Sequence, residues 1–592
     1  MRALSVLLFL AISQVTISCT TFGLGKKATV DGSVITSHSN DGSGTTDPRL
    51  VEIPAQDYEP GSMRPVYYSP KLYPRYVGYD RKAPEYYKEN CQAGPGNCEN
   101  LVPLGYIPQV NHTFAYFEAG YGVMNEKQVS SSESTCSGVF AALPIGSGGN
   151  ALFSVNQLSQ VALERASTAR EAIKIMGDLS EQYGYYGASA SFEGGAESLI
   201  IADTNEVWVF HILADPTGSS SIWAAARVPD DSVAVVANMF SIREMDLSDP
   251  DNFMGRLDMW NLAEQQGLYV AGDPKDFTAT FSDGEYAHKY YSGRRMWRVF
   301  DLLAPSAELP ADYGNLKRDA PYPFAVKVDN PASVQDVMAV MRDWYNDTRF
   351  STGEGSGVAG GAFSTPDRYG GNSEDGAVQG NWERTIAIYR SSDTYVVQSR
   401  SWLPDAVGGV VWFGPGAAHG TVYVPVLAGM SRAPDTLSWG WQGVYNTSTS
   451  FWANRRVLNY AQVKFSYMIE QIRAVQSQCE YASVRLISDL DRKFVHRAGG
   501  ELSAEELVAL QDVFEANARR AALDMNRLFN FLLFSYPDGY LDHWDDTGFH
   551  STSLAGYPVW WLEAGNYVDG PPDVEATAMQ LQLAKERQQQ EL

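Results

Sequence analysis

The sequence predicts an α+β fold, and three observations lead to this prediction. Short segments rich in β-branched and aromatic residues dominate the chain from residue 19 to about residue 430. Amphipathic helical segments stand in separate blocks, and the chain after about residue 450 has mainly helical periodicity. Strands and helices therefore do not alternate one by one, which favours α+β layers over a doubly wound parallel sheet.

Turn signals divide the strand-rich part into hairpins. TFGLG and VITSHS flank Asp31-Gly32, a dipeptide typical of tight hairpin turns, so residues 41–44 are expected beside Cys19. SLIIADTNEVWVFHIL predicts a second hairpin around its Thr-Asn pair. IWAAARV and VAVVANMF predict two more strands, and TIAIYR with TYVVQSRSW predicts a further pair.

Helical periodicity interrupts the strands at residues 155–183 and again at SVQDVMAVMRDWY. Two long amphipathic helices follow near the C-terminus, and residues 503–506 have the pattern of a capping box before the second one. We therefore predict three parts: a leader at 1–18, a strand-rich domain at 19–430 and a mainly helical region at 431–592.

Charge and composition exclude several classes of protein. Lys and Arg total 45 against 70 for Asp and Glu, a net charge of −25. An acidic surface repels phosphate backbones and anionic lipid, so nucleic acid is not an expected partner. Aromatic residues make up 12% of the chain, which argues against disorder. After the leader no stretch is long and apolar enough to predict a membrane span.

The first eighteen residues predict a secretory signal peptide. Arg2 supplies a positive charge, and the apolar run 4–12 is too short for the ~20 residues that span a bilayer. Small Ser18 precedes Cys19 and suits a cleavage site. A lipoprotein signal is the alternative interpretation of TISC, in which Cys19 carries a lipid and the protein is a surface binding protein.

Cysteines and glycosylation sequons agree with a secretory route. Cys91 and Cys98 flank a short loop and predict a local disulfide. Cys136 and Cys479 are a conceivable second pair, which leaves Cys19 as the odd thiol. Three asparagines lie in sequons: Asn111, Asn346 and Asn446.

Several standard catalytic motifs are missing from the sequence. There is no HExxH, no GxSxG, no Walker loop and no zinc-type CxxC spacing, so we predict no metal and no cofactor. Cleavage before Cys19 would instead place a thiol and a free α-amine on one residue. The α-amine has an ordinary pKa of about 7.7–8.0, so it can accept the thiol proton near neutral pH. Cys19 would then be nucleophile and base together.

The hairpin brings SHSNDG next to this proposed nucleophile. Asp41 could hold the amino group of a substrate or orient the α-amine of Cys19, and the alternative is that NDG only makes a turn.

Five segments together resemble one family of enzymes. CTTFGLGKKATVDGS resembles the start of cysteine dipeptidases of the dipeptidase A type, a branch of the N-terminal-nucleophile (Ntn) hydrolases. GYGVMNEKQVSSSEST is similar to a Gly-x-x-Asn-Glu strand of that family. The central block of the family is similar to ESLIIADTNEVWVFHIL and IWAAARVPDDSVAVVANMFSI. A later block of the family is similar to QSRSWLPDAVGGVVWFGPG. The resemblance extends over most of residues 19–430.

The resemblance implies a four-layer αββα Ntn-hydrolase sandwich at 19–430 with an added helical C-terminal region. It implies hydrolysis of dipeptides through an acyl-enzyme on Cys19. By similarity, Asn125 and Asn238 are candidates for the oxyanion hole. Arg227 could bind the substrate carboxylate, with a structural salt bridge as the alternative.

One position departs from the family pattern. Members carry Arg-Asn near the end of the second strand, where this chain has His38-Ser39. Cys136 is a second conceivable thiol, but it is internal and lacks an attached base. The alternatives to a dipeptidase are an amidase for N-acylated or non-peptide amides and a catalytically silent binding protein.

Overall fold

The computed structural model of the protein describes most of the chain after the predicted leader. The described residues are 19–42, 46–68, 77–91, 100–353, 360–369, 382–497, 500–545, 547, 550–568, 579 and 582–583. The leader predicted at 1–18 lies outside them, and so does the predicted partner of Cys91, Cys98.

Strands dominate the first two thirds of the described chain. In chain order they are β1 (Thr20–Leu24), β2 (Val34–Asn40), β3 (Val51–Ile53), β4 (Gln56–Asp57), β5 (Met63–Tyr67), β6 (Pro103–Pro108), β7 (His112–Thr113), β8 (Tyr116–Glu118), β9 (Gly122–Asn125), β10 (Ser130–Gly138), β11 (Ala196–Ala202), β12 (Val207–Ala214), β13 (Ser221–Val228), β14 (Ser232–Val236), β15 (Phe253–Gly255), β16 (Ser282–Gly284), β17 (Val326–Lys327), β18 (Asp393–Ser399), β19 (Val410–Pro415), β20 (Val424–Leu427), β21 (Tyr540–Trp544) and β22 (His550–Leu554).

The longest helices lie near the C-terminus. In chain order the α-helices are α1 (Val155–Arg165), α2 (Ala169–Tyr183), α3 (Met259–Gln265), α4 (Phe277–Phe281), α5 (Gly293–Leu303), α6 (Leu316–Asp319), α7 (Val334–Met341), α8 (Asp405–Gly408), α9 (Asp435–Ser438), α10 (Ser450–Ala461), α11 (Phe465–Phe494), α12 (Ala504–Ser535) and α13 (Val559–Ala564).

Two large antiparallel sheets form the centre of the described structure. The first, sheet A, has the strand order β17-β14-β1-β2-β18-β19-β20. The second, sheet B, has the order β15-β13-β12-β11-β10-β9-β8-β3, with β16 paired to β10. Consecutive strands β13 and β14 belong to different sheets, so the chain crosses from sheet B to sheet A next to β1.

Alternating side chains divide the apolar residues of the two sheets among separate layers. Val209 of β12 and Val236 of β14 lie in one apolar cluster between the sheets. Phe210 packs on the other face of sheet B with α1 and α2, and Val235 packs on the other face of sheet A with α5 and α7. The order of layers is therefore helix, sheet, sheet, helix. Its assignment to the Ntn hydrolases stays a prediction.

The helices after residue 450 share one apolar core with sheet A. Leu458 of α10, Ile472 of α11 and Met525 of α12 belong to the same cluster as Val411 and Val426 of the sheet. The region predicted at 431–592 therefore covers sheet A and has no core of its own among the described residues. None of the described helices combines the length and the apolar character that a membrane crossing needs.

Most predicted elements are present, with three local differences. Residues 155–183 form two helices instead of one, because Thr168 caps the N-terminus of α2. TIAIYR is not a strand, since β18 pairs with β2 and β19 instead. The hairpin of β1 and β2 has a nine-residue connection, 25–33, and pairs Thr20 with Ser39. This register places Asn40, not residue 44, opposite Cys19.

Candidate active site

Cys19 lies immediately before β1, between the two sheets. Its side chain is fully buried. Burial raises the pKa of the thiol well above its ordinary value, and the negative charges of Glu133 and Asp41 raise it further. The thiol therefore keeps its proton in the uncut chain, and a nucleophilic role requires a nearby base.

His38 and Glu133 lie next to the sulfur of Cys19. One ligand-type atom from each of the three side chains falls within 4.8 Å of the other two. His38 Nε2 is 3.6 Å from Glu133 Oε2, which is too long for a hydrogen bond. We call Cys19, His38 and Glu133 the Cys19 cluster. The departure from the family pattern at position 38 therefore lies within the site.

Glu133 belongs to a buried pair of carboxyl groups. Its Oε1 accepts a hydrogen bond from Thr135 Oγ1 at 2.8 Å. Burial raises the pKa of neighbouring Glu197 well above its ordinary range, and the charge of Glu133 adds to the effect. Two neighbouring carboxyl groups in a buried site do not both ionise, because their negative charges would repel each other. Glu197 therefore carries the proton, and Glu133 presents the negative charge to His38.

Asp41 lies beside Cys19, as the hairpin predicts, but its carboxylate is already paired. It forms a buried ion pair with Arg384, and it also accepts hydrogen bonds from Ser39 and Ser391. The backbone of Asp41 hydrogen-bonds Cys19 and lowers the pKa of the thiol slightly against the effect of burial. These contacts suit orientation of Cys19 better than capture of a substrate amino group.

Arg295 of α5 holds the backbone of Cys19. Its guanidinium donates to the carbonyl oxygen of Cys19 at 2.8 Å and to Thr20 Oγ1 at 2.9 Å. It also donates to Asn238 Oδ1 at 2.7 Å. Burial, together with the charge of Arg384, lowers the pKa of Arg295 to about 10, so it remains a cation at neutral pH. The fold therefore clamps the backbone of Cys19 with a fixed positive charge.

Arg295 links Asn238 to Cys19, because its guanidinium donates hydrogen bonds to both residues. The Nδ2 of Asn238 donates to the carbonyl oxygen of Thr135 at 2.7 Å, which leaves the second amide hydrogen without a described acceptor. Its backbone has a φ of 60°, the left-handed conformation that Asn tolerates better than most residues. Asn238 therefore keeps one amide hydrogen free, as a donor to an oxyanion must.

Asn125 does not have a free donor, and this corrects the expectation from the sequence. Its Nδ2 donates to the carbonyl oxygens of Leu163 and Ala166 at 2.9 and 2.8 Å. Its Oδ1 accepts from the backbone of Lys127 and Val129. The two donors hold the end of β9 against the end of α1, and Oδ1 holds the turn between β9 and β10, so the role of Asn125 is structural.

Arg227 is also not a binding residue in this structure. It forms ion pairs with Asp230 at 2.8 Å and Glu206 at 3.3 Å. Asp230 accepts a backbone hydrogen bond from Lys27, beyond the far end of β1 from Cys19. The substrate role considered for Arg227 is therefore wrong, and the structural salt bridge is correct.

The other predicted cysteine and glycan sites have mixed outcomes. Cys91 is in a disulfide, while its predicted partner, Cys98, lies outside the described residues. Cys136 and Cys479 are both free thiols and do not pair. Among the sequon residues Asn111 and Asn446 are exposed, whereas Asn346 is half-buried.

Sequence reasoning missed three charged residues of the site. Glu133 lies within the quoted segment GYGVMNEKQVSSSEST, where it is a lone charge in a strand of serines. This charge on a buried strand was an available signal. Arg295 and Arg384 carry no such signal, because only the folded sheets bring them to Cys19.

A buried thiol flanked by an imidazole, carboxylates and a cationic clamp has the chemistry of a cysteine hydrolase. The model of peptidase family C69 matches residues 105–478. The chain therefore belongs to peptidase family C69, a family of hydrolases, and the resemblance seen in the sequence is confirmed.

The names of similar proteins agree with this family. A probable dipeptidase of Latilactobacillus sakei is 26% identical over 420 residues, which cover 71% of this chain and 76% of the relative. Dipeptidase A of Lactobacillus helveticus is 21% identical over 504 residues, covering 83% of this chain and 92% of the relative. A dipeptidase of Bifidobacterium longum is 25% identical over 374 residues, covering 60% of this chain and 63% of the relative.

Proposed function

We propose that the protein is a secreted cysteine dipeptidase of the Ntn type. Removal of residues 1–18 exposes Cys19, whose thiol then cuts the amide bond of a dipeptide through an acyl-enzyme. The observation that carries the proposal is the position of Cys19. It directly precedes strand β1 and lies inside a buried polar cluster, and the chain belongs to a peptidase family.

Cleavage would act as the activating step. In the uncut chain, burial and two carboxylates hold the pKa of the thiol high. A free α-amine changes this in two ways: its cationic form favours the thiolate electrostatically, and its neutral form accepts the thiol proton. Both effects originate on Cys19 itself, so they need no movement of the two sheets.

The reaction then proceeds in two steps, formation of the acyl-enzyme and its hydrolysis. The α-amine takes the proton from Sγ, the thiolate adds to the substrate carbonyl carbon, and negative charge develops on the carbonyl oxygen. The spare amide hydrogen of Asn238 is a donor for that charge. The amine product leaves with the proton held by the α-amine. Water, deprotonated by the same amine, hydrolyses the thioester and restores the thiol.

The test compares two purified chains, one that starts at Cys19 and one with a single alanine placed before it. We expect the first to hydrolyse unblocked dipeptides and the second to be slower by about 10²-fold or more in kcat, because its general base is lost. Both chains keep the thiol and the fold. Equal rates for the two chains would refute the α-amine mechanism.

Two further measurements test the choice of substrate and the processing of the N-terminus. Faster release from N-acylated than from unblocked dipeptides would replace the dipeptidase by an amidase. The intact mass of the naturally exported protein tests secretion and cleavage. A mass starting at unmodified Cys19 is expected, and a lipid adduct on Cys19 would leave a binding protein.

A further inference from the structure

The Cys19 cluster brings together three different types of metal ligand. A thiol sulfur, an imidazole nitrogen and a carboxylate oxygen lie within 4.8 Å of one another. They come from positions far apart in the sequence: Cys19 precedes β1, His38 is in β2 of the same sheet, and Glu133 is in β10 of the facing sheet. No spacing motif could have predicted the set, because the two sheets assemble it.

The donor atoms of this cluster are largely unused by the protein. Within the described chain, neither ring nitrogen of His38 has a hydrogen-bond partner, and neither has Glu133 Oε2. All of them are buried, and burial of a polar atom without a partner is unfavourable. A ligand that bonds to these atoms would therefore remove an unfavourable contribution to the stability of the folded protein.

One ligand-to-ligand distance of the cluster fits a tetrahedral zinc ion. Zinc binds sulfur, nitrogen and oxygen ligands at about 2.0–2.3 Å, which separates two ligand atoms by about 3.3–3.8 Å in a tetrahedron. His38 Nε2 and Glu133 Oε2 are 3.6 Å apart. Calcium and magnesium take mainly oxygen ligands, so a thiolate and an imidazole disfavour them.

The surroundings hold the imidazole in place. The ring of His38 packs against Tyr395 at 4.9 Å and Tyr121 at 5.9 Å between centroids. Asp393, another buried carboxylate, interacts electrostatically with His38 and has an oxygen without a hydrogen-bond partner in the described chain. A carboxylate behind a histidine ligand is the usual outer support of a zinc site.

We propose that the Cys19 cluster binds one Zn²⁺ reversibly through Cys19 Sγ, a His38 ring nitrogen and a Glu133 carboxylate oxygen, and that zinc thereby inhibits the enzyme. Binding converts the thiol to a zinc-bound thiolate and releases its proton to solvent, and an α-amine that is protonated beforehand releases its own proton as well. The fourth ligand is the α-amine of Cys19, which closes a five-membered ring with the sulfur. That ligand, and the inhibition, rest on the proposed function. Zinc would occupy both the nucleophile and its base.

Metal binding is measured directly on the chain that starts at Cys19, after treatment with a chelator. Calorimetry with Zn²⁺ gives stoichiometry and affinity, and Co²⁺ reports a sulfur ligand through thiolate-to-cobalt absorption. We expect one equivalent of metal, with the thiolate band absent in Cys19→Ser. His38→Gln and Glu133→Gln should each weaken binding at least about tenfold.

Two matched variants control for other donors. His112 forms an exposed pair with Asp57 at 2.7 Å, without a thiol beside it, and Cys479 is a free thiol in α11. His112→Gln and Cys479→Ser should leave the stoichiometric site intact. The proposal is overturned if no equivalent of Zn²⁺ binds, or if either control weakens binding as much as His38→Gln does.

Activity assays separate this proposal from the dipeptidase function. Hydrolysis by the chelator-treated enzyme without stoichiometric zinc binding would refute the metal site alone. Zinc binding without hydrolysis of any dipeptide would keep the metal site and refute the peptidase. If both proposals hold, Zn²⁺ added to one equivalent should abolish hydrolysis, and the chelator should restore it.

Discussion

Among the described residues, two buried clusters each combine a cysteine with a histidine, and they differ in how many of their polar atoms are hydrogen-bonded. In the Cys19 cluster, His38 and one oxygen of Glu133 have no hydrogen-bond partner within the described residues. The second cluster, here called the Cys136 cluster, consists of Cys136, Ser198 and His211. Its atoms form a continuous chain: Cys136 Sγ lies 3.1 Å from Ser198 Oγ, which lies 2.7 Å from His211 Nδ1.

The chain of hydrogen bonds in the Cys136 cluster ends on backbone. His211 Nε2 accepts from the backbone N–H groups of Ser241 and Ile242 at 2.9 and 3.2 Å. The ring is therefore neutral, with its hydrogen on Nδ1. Its burial lowers its pKa to about 3. This cluster fixes the loop that follows Asn238, whereas both ring nitrogens of His38 and one oxygen of Glu133 in the Cys19 cluster make no hydrogen bond within the described residues.

The comparison teaches that a buried thiol next to a histidine does not define a catalytic site. Both thiols have their pKa raised well above the ordinary value by burial. A catalytic thiol needs neighbours whose hydrogen bonds are incomplete, and it needs a base, which cleavage can create on the same residue. Cys136 has neither, because the other members of its cluster are fully hydrogen-bonded and it is an internal residue.

Replacement of the two thiols should therefore have the largest and most unequal effects. We expect Cys19→Ser to lower kcat/KM by about 10³-fold or more, since the nucleophile acts together with its base as a unit. Cys136→Ser preserves a hydrogen-bonding group of similar size and should leave kcat/KM almost unchanged. Both are measured with one unblocked dipeptide on chains whose mass confirms a start at residue 19. A larger loss in Cys136→Ser than in Cys19→Ser would reverse the assignment.

The two asparagines give the next largest contrast. Asn238→Gly keeps the left-handed backbone and removes only the amide, so kcat should fall about 10²–10³-fold with little change in KM. Asn125→Ala removes four hydrogen bonds to backbone and should lower the midpoint of unfolding, while the folded fraction retains its kcat. The measurements are kinetics and denaturant unfolding on both variants. Normal kcat in Asn238→Gly would exclude this residue from the oxyanion hole.

The sequence predicts the parts of the site that are local and not those that depend on the packing of the two sheets. The hairpin signal around Asp31-Gly32 places Asp41 beside Cys19 correctly, because a hairpin relates near neighbours. The residue opposite Cys19 is Asn40, one position outside the predicted range 41–44, because the connection is centred on residues 29–30 and not on Asp31-Gly32. Arg295, 276 positions from Cys19, carries no local signal for its contact.

The role of Asn125 shows a second limit of sequence reasoning. The resemblance locates an asparagine at a strand end, and the structure places it at the end of β9. Its function depends on which acceptors surround the amide, and those belong to a helix that the strand meets only after folding. The type and position of residue 125 were therefore predictable from the sequence, but the fact that its amide has no free donor was not.

The smallest expected effect is the contribution of His211 to the pH dependence of stability. In the unfolded chain a histidine takes up a proton near pH 6.5, whereas buried His211 does so only near pH 3. The unfolded state therefore binds more protons between these values, and the free energy of unfolding decreases as the pH falls through this window. From pH 6.5 to 4.5 the loss due to His211 should be about 2–3 kcal/mol.

His211→Gln lacks this proton uptake, so its stability should decrease less over the same pH range, although it is less stable at pH 7. Denaturant unfolding at several pH values measures the difference in slope. Exposed His112→Gln is the matched control and should retain the wild-type slope. Equal slopes for wild type and His211→Gln would mean that His211 is charged in the folded protein. Its Nε2 could then not accept the two backbone N–H groups, and the Cys136 cluster would not be the completed structural network that distinguishes it from the Cys19 cluster.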